Sequence, residues 1–257
     1  MMQTITPFDS LTGHNNSVLN IAISHDNSYL ISTSVDNTAI KFEIEPSLDS
    51  RKEMLEFKHI ENKRKLPSPI KITAVSEKED WFISVNEKNQ ACIWDTKNGK
   101  LICSRYLTVR RQNSSKKEEN EELLEDTKKH TADISYIVIQ ESENDTVKFI
   151  TSSYDNAVVK WEWDKSSEGA KIRPVTKIVD AHDDDILCVE LASNNQYFVT
   201  TCYDTTIKKW DVNFAHNSEA ILTFADSDTK LNDIIAHIAP VSRCCISSDS
   251  KFMISVR

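Results

Sequence analysis

The sequence predicts an all-β chain assembled from stacked copies of one small antiparallel sheet, and three observations predict it. First, one unit recurs: a His, an apolar stretch of alternating character, a polar turn, a second apolar stretch ending in Ser or Thr, an Asp, and an aromatic residue six positions after that Asp. Second, the apolar stretches are 5 to 8 residues long, rich in Val, Ile, Thr, Phe and Tyr, and bounded by Asn, Asp and Ser, as expected of short strands joined by hairpins. Third, only 3 of the 257 residues are glycine, where average usage gives roughly 18. That scarcity argues against the glycine loops that cradle phosphates or dinucleotides.

The copies justify this element by element. The first runs from His14 through NSVLNIAISHDNSYLISTSVD to Asp36, with Phe42 in the aromatic place. The second, KITAVSEKEDWFISVNEKNQACIWD, keeps Trp94-Asp95 but has Lys88 where the Asp belongs. The third runs from His130 to Asp155 and Trp161, the fourth from His182 to Asp204 and Trp210, and a fifth begins at His237. From His to aromatic residue the separation is 28, 31 and 28 positions in the first, third and fourth copies, an agreement that chance does not supply. The corresponding units are residues 11–48, 59–105, 130–170 and 180–215, with a partial unit at 235–257. Their turns, SHDNSY, ASNNQY and SSDSKF, place Asn or Ser where glycine would be easiest. Asn tolerates positive φ and bonds its own backbone, so it substitutes at modest cost.

Composition bounds the function. With 31 basic against 40 acidic residues the net charge is −9, the wrong sign for a sequence-independent nucleic-acid binder. No run approaches the 18 or more apolar residues of a membrane helix, so no membrane partner is expected and a cytoplasmic location, with a nuclear one as the alternative, is the default. The six cysteines show no C-x-x-C spacing and read as small buried hydrophobes. Residues 108–129 are dense in charge, with Leu123 and Leu124 the large apolar exceptions, and read as a solvated hairpin insertion with a short helix over Lys117 to Lys128. Ser114, three residues after Arg111, would suit a docking or phosphorylation arm there; Lys63-Arg64-Lys65 reads as a solvated loop.

This pattern resembles the WD-repeat β-propeller family, most specifically at Gly13-His14, Trp94-Asp95, Trp210-Asp211 and the recurring Asp of SVDNTAIKF, SYDNAVVKW and CYDTTIKKW. The resemblance implies a hydrogen-bonded tetrad in each blade. It assigns His130, Ser153, Asp155 and Trp161 to the third blade. It assigns His14, Ser34 and Asp36 to the first, where Phe42 has no N–H, and His182, Asp204 and Trp210 to the fourth, where Cys202 stands in the hydroxyl place. Only the third blade then holds all four groups. A four-stranded sheet cannot bury both faces alone, so successive copies stack radially. At roughly 40–50 residues per blade the chain holds about four and a half blades. The expected fold is an incomplete propeller: four full blades and the start of a fifth, whose aromatic residue is due beyond Arg257, with Gln3 to Phe8 as an outer strand of the closing blade.

The sequence assigns no catalytic residue. Each blade repeats a hydroxyl, an imidazole and a carboxylate, but a catalytic set occurs once and faces a pocket. Asp180 and Asp183-Asp184-Asp185 around His182 lack the alternating spacing and glycine turn of a calcium loop, so no metal and no cofactor are expected. What remains is surface recognition. In the family, the residue before the tetrad Asp and those three and five beyond the His form the face that holds partners. Here these are Tyr154 and Tyr203, Val35 in the first blade, and Ser17, Leu19, Asp133, Ser135, Asp185 and Leu187. With Asp183 and Asp184 they make an aromatic and acidic platform suited to a basic peptide or loop. The expected function is a non-enzymatic scaffold or adaptor. The alternative is a structural, non-catalytic subunit of a stable multiprotein complex, for example an RNA-processing or a cytoskeletal or ciliary assembly.

Overall fold

The computed structural model describes residues 11–44, 55–58, 68–78, 80–109, 125–140, 146–166, 171–216, 218–224 and 237–257. The strand expected at Gln3 to Phe8, the Lys63-Arg64-Lys65 stretch, Ser114, Leu123 and Leu124 lie outside these residues. Of the helix expected over Lys117 to Lys128 only the end is described. Residues 125–127 are helical, and Arg105 holds Glu125 at 2.6 Å.

Every copy of the repeat folds as an antiparallel meander. The first sheet is β1 (Val18–Ile23), β2 (Tyr29–Ser34), β3 (Thr38–Glu43) and β4 (Leu55–Lys58). The second is β5 (Ile70–Val75), β6 (Trp81–Asn86), β7 (Gln90–Asp95) and β8 (Leu101–Tyr106). The third is β9 (Ile134–Gln140), β10 (Thr146–Ser153), β11 (Val158–Asp164) and β12 (Lys171–Ile178). The fourth is β13 (Ile186–Leu191), β14 (Tyr197–Cys202), β15 (Ile207–Asp211) and β16 (Leu222–Phe224). A two-stranded sheet follows, β17 (Arg243–Ile246) with β18 (Met253–Val256). The outer strands β4, β12 and β16 lie beyond the repeat units marked in the sequence. LTF is short and mostly exposed, and LEFK buries a single side chain, Phe57, so neither is long enough to show a period.

Successive sheets meet through their first strands, β1 on β5, β5 on β9, β9 on β13 and β13 on β17. Residues of β1, β5, β9 and β13 line one cavity of about 270 Å³, so these strands are innermost. Four apolar clusters each join two neighbouring sheets rather than the faces within one. Ile31, Phe57, Ile70 and Trp94 join the first and second; Ile83, Ile134, Phe149 and Trp161 the second and third. Ile150, Ile178, Phe198 and Trp210 join the third and fourth, and Cys188, Val199, Val241 and Cys244 the fourth and fifth. Sheet-on-sheet burial in sequence order is the radial stacking of a propeller.

Register repeats with the sequence. In the two middle strands Phe82 pairs with Trp94, Phe149 with Trp161 and Phe198 with Trp210, the rings stacked with interplanar angles of 19°, 8° and 14°. The first sheet sets Leu30 against Phe42. Each aromatic residue lies 12 positions after its partner, a period present in the sequence beside the His and Asp spacing.

The tight turns show why glycine is dispensable. Asn27, Asn195 and Ser250, at one position of the first hairpin in their blades, hold φ of 58°, 54° and 58°. Asn37, Asn89, Asn156 and Thr205 hold 73°, 58°, 59° and 71° in the second. Asn supplies most of these left-handed positions, as the turn sequences lead one to expect.

Candidate partner-binding face and the relays that hold it

Each relay begins at the hairpin between the second and third strands. In the third blade, Trp161 Nε1–H donates to Thr151 Oγ1 at 2.8 Å, Thr151 lies 2.8 Å from His130 Nε2, and His130 Nδ1 lies 2.9 Å from Asp155 Oδ1. A carboxylate only accepts, which puts the imidazole proton on Nδ1 and leaves Nε2 to accept from the hydroxyl. The fourth blade repeats this through Trp210, Thr200, His182 and Asp204 at 2.8, 2.7 and 2.9 Å. The first stops at Phe42, with Ser32 at 2.7 Å and Asp36 at 2.9 Å from His14. In the fifth sheet His237 meets Ser255 at 2.6 Å.

The hydroxyl is therefore not the one expected. Thr151 stands where Ser153 was assigned, Ser32 where Ser34 was, and Thr200 where Cys202 was. Ser153 is the last residue of β10, set against Ile134 across a register shift that leaves Ser135 of β9 over, and so lies at the loop end of the strand. There its Oγ accepts from Asp155 N–H at 3.2 Å and donates to the Ala132 carbonyl at 3.2 Å. Ser34 and Cys202 do the same for Asp36 and Asp204. The imidazole spans two strand residues, so its Nε2 reaches the hydroxyl two positions deeper. With Thr200 in place the fourth blade, like the third, holds all four groups.

Burial sets the protonation. It drives the His130 and His182 imidazoles below their usual values, against the pull of their aspartates. Burial also opposes ionisation of Asp155. The His130 imidazole, the Thr131 N–H and the Lys177 ammonium at 3.1 Å outweigh it and hold the carboxyl well below the ordinary range. Asp204 is held low by His182 and Thr206, and Asp36 falls to about 2 through Thr38, Asn15 and His14 despite its own desolvation. Lys177 is the substitute for a missing hydroxyl: Ala157 occupies the place from which Thr38 and Thr206 donate in the other two blades.

These relays have the atoms of a hydroxyl, base and carboxylate set, but His130, Thr151 and Thr200 are fully buried and every polar atom is engaged. His182, Cys202 and Asp204 also bring possible metal-ligand atoms within 4.8 Å of one another. Burial pushes the Cys202 thiol to about 12, its sulfur contacts Asp184 O and Asp204 N–H, and both imidazole nitrogens of His182 are bonded within the chain. That donor set fits a hydrogen-bonded relay and not a metal.

At the relay end the loops form a connected surface. Tyr154 N–H donates to the Asp133 carbonyl at 3.0 Å and Tyr203 N–H to that of Asp185 at 2.9 Å, so each Tyr sits beside the acidic residue of its own His loop. Val35 and Ser17 pair identically at 3.1 Å in the first blade. The side chains of Tyr154 and Tyr203 are 45% and 56% exposed. Asp133, Asp183 and Asp184 are exposed, Asp185 and Leu187 half-buried. Ser17 and Leu19 are exposed and Val35 is half-buried. Ser135 turns its hydroxyl to Ser152 at 2.9 Å, inside the sheet. Neighbouring blades are tied by residues that the sequence reading passed over. Asn156 O accepts from Ala181 N–H at 2.8 Å, and Asn89 Nδ2 donates to Asp133 at 2.8 Å.

The family model described as WD domain, G-beta repeat, matches residues 5–42 and 173–211. No curated protein matches the chain.

Proposed function

The chain is a WD-repeat protein, and from that premise we propose that it is a non-enzymatic scaffold or adaptor whose relay-end face holds a basic peptide or loop of a partner protein in the cytoplasm. WD40 repeats generally mediate protein–protein interaction, and proteins built from them are typically non-enzymatic. The observation that carries the reading is the pair of exposed tyrosines, each held by its backbone against an acidic residue. Tyr offers large contact area at low entropy cost, and the carboxylates of Asp133, Asp183 and Asp184 attract and orient Lys or Arg. A rigid tyrosine platform with an acidic border selects by charge first and by shape second.

The test replaces Tyr154 and Tyr203 together with Ala and compares binding of Lys- and Arg-rich peptides with that of acidic ones, at low and high salt. Wild type should prefer the basic set, salt should weaken it, and the double variant should lose it at least tenfold while keeping its melting temperature. Equal binding by a folded double variant would remove this face from consideration.

A second reading, a structural subunit of a stable assembly, is favoured by the apolar side chains exposed on β1 and on the last sheet, Ile21 and Ile23 at 57% each, Phe252 at 70% and Ile254 at 72%. Purification of a constant-stoichiometry complex from cells, surviving high salt, would favour it over transient peptide binding.

A further inference from the structure

Neighbouring sheets meet through a recurring junction in which two strands of one sheet lie against the first strand of the next. β1 and β2 lie against β5, β9 and β10 against β13, and β13 and β14 against β17. Register marks its two sides. On the trailing side stands the residue just before the relay hydroxyl of the second strand. Ile31, Ile83, Ile150 and Val199 hold this place, each buried in the cluster it shares with the following sheet. On the leading side stands the first-strand residue paired with that hydroxyl. These are Thr73 opposite Ser84, Ile137 opposite Thr151 and Val189 opposite Thr200, all buried.

The chain also shows one side of each kind uncovered. In the fifth sheet Ile254 precedes Ser255 and is 72% exposed, where its four equivalents are exposed by 3% at most. Phe252 takes the place of the buried Tyr29 and Trp81 and is itself exposed. In the first sheet Ile21 pairs with Ser32 and is 57% exposed, and Ile23 equally so, where Val75, Ile139 and Leu191 pack against their junctions. Both patches are open to solvent, so they do not cover each other within one chain.

We propose that a second copy of the chain covers them, the Phe252 and Ile254 face of one copy seating on β1 of the next. The proposal rests on the second reading above, a stable assembly, and gives that assembly its partner. Three observations choose a second copy. The exposed faces are opposite halves of one contact, a trailing side and a leading side, so each complements the other as the internal pairs do. β17 and β18 are the counterparts of the two strands with which the other sheets make this junction, so the two-stranded sheet lacks nothing the contact uses. Ile21, Ile23, Phe252, Ile254 and Val256 are all apolar, as the internal clusters are, and present no charge for a polar partner to read. Association through two different patches is head-to-tail, so copies add in series and do not stop at a symmetric pair. Each copy carries a net charge of −9, so salt, by screening the repulsion, strengthens this contact while it weakens the binding of a basic peptide.

The experiment is sedimentation velocity on the full chain and two variants, one carrying Ile21→Glu with Ile23→Glu and the other Phe252→Glu with Ile254→Glu. The mass of wild type should rise with concentration and with salt. Each variant alone should remain monomeric at concentrations at least tenfold above those at which wild type associates. Mixed, the two should form a complex that stops at two chains, joined through the face each retains. Circular dichroism and melting temperature of each variant should match those of wild type, and where a double variant unfolds, Ile21→Glu or Ile254→Glu alone replaces it. Wild type that stays monomeric throughout, a variant that associates by itself, or variants that stay apart when mixed would each overturn the proposal. A constant-stoichiometry complex with a different protein in cells, beside a monomeric purified chain, would overturn the second copy and leave the assembly reading standing.

Discussion

The second and third blades share a sheet topology and a stacked Phe–Trp pair but close their hairpins with different chemistry. In the third, Ser153 accepts the Asp155 N–H, Asp155 accepts the Ala157 N–H, and His130 ties that carboxylate to Thr151. In the second, the single amide oxygen of Asn86 accepts both Lys88 and Gln90 N–H at 3.0 Å each. Asn86 therefore replaces Ser153 and Asp155 together, and Trp94 Nε1–H still finds its hydroxyl, Ser84, at 2.8 Å. The loop before the sheet is also anchored without an imidazole, through Glu87 N–H to the Pro69 carbonyl at 2.9 Å. Turn closure and satisfaction of the Trp N–H are thus separable from the imidazole. What the His and Asp add is a buried charge network joining loop, hairpin and, through Lys177, the outer strand.

The largest expected difference between the blades follows from that charge. Asp155→Ala leaves the buried Lys177 ammonium with the Lys129 carbonyl at 2.9 Å but no counter-charge, and the His130 Nδ1–H without its acceptor, and should cost about 3 kcal/mol. Asn86→Ala removes one neutral acceptor and should cost about 1–2 kcal/mol. Asp204→Ala should fall between them, since its carboxylate is shared with Thr206 and not with a lysine. Urea unfolding of the three variants gives the order; equal losses at Asp155 and Asn86 would show that the charge network adds nothing to the amide.

Acid should separate the blades next. His130 and His182 are held neutral in the fold, while the unfolded chain takes up protons below about 6.5. Their depressed values make a stabilising contribution that is complete above that pH and is lost as pH falls from there through the lower folded values. Asp36, at about 2, and Asp155 and Asp204, held low as well, contribute stability that is lost as pH falls from 3.8 through their folded values. The Asn86 amide of the second blade has no charge to titrate. Glu190, pushed up to about 7 by burial, takes up its proton in the fold over the same range as the histidines and opposes them. The imidazole contribution is therefore read as a difference: between pH 7 and 5 the melting temperature of wild type should fall relative to that of His130→Gln, and below 4 both should decline. Parallel curves from pH 7.5 to 5 would contradict a neutral buried His130 imidazole.

The sequence carried the repeat because its His, Asp and aromatic positions are one-dimensional marks of a hairpin register. It carried the glycine substitution for the same reason, since Asn27, Asn37 and Asn156 stand at fixed places in the turns. The hydroxyl partners were not legible. Thr151 and Ser153 share a parity along β10, so strand alternation does not tell which one meets the imidazole; the depth to which His130 reaches does. Lys177 was invisible because it acts from the outer strand, 22 positions from Asp155. The platform residues Tyr154 and Tyr203 could be placed by their position before Asp, but not the engagement of Ser135 by Ser152.

The smallest expected effect lies at a single turn position that the blades fill differently. Asn37, Asn89 and Asn156 occupy it in the first three, and Thr205 in the fourth, all at positive φ. At +71° the branched Cβ of Thr205 crowds its own backbone, a conformation that such residues adopt only when the surroundings impose it. Here they do: the Thr206 N–H is fixed on Asp204 at 2.8 Å, and the Cys202 N–H on the Thr206 carbonyl at 3.2 Å. Thr205→Asn relieves the strain without touching the relay and should stabilise by about 1 kcal/mol, raising the melting temperature by about 2–4 °C. The converse change, Asn156→Thr, should lower it by a similar amount. If Thr205→Asn gained nothing while Asn156→Thr still cost stability, the Thr205 side chain would be shown to make a compensating contact, and the fourth turn would differ from the third in more than backbone preference.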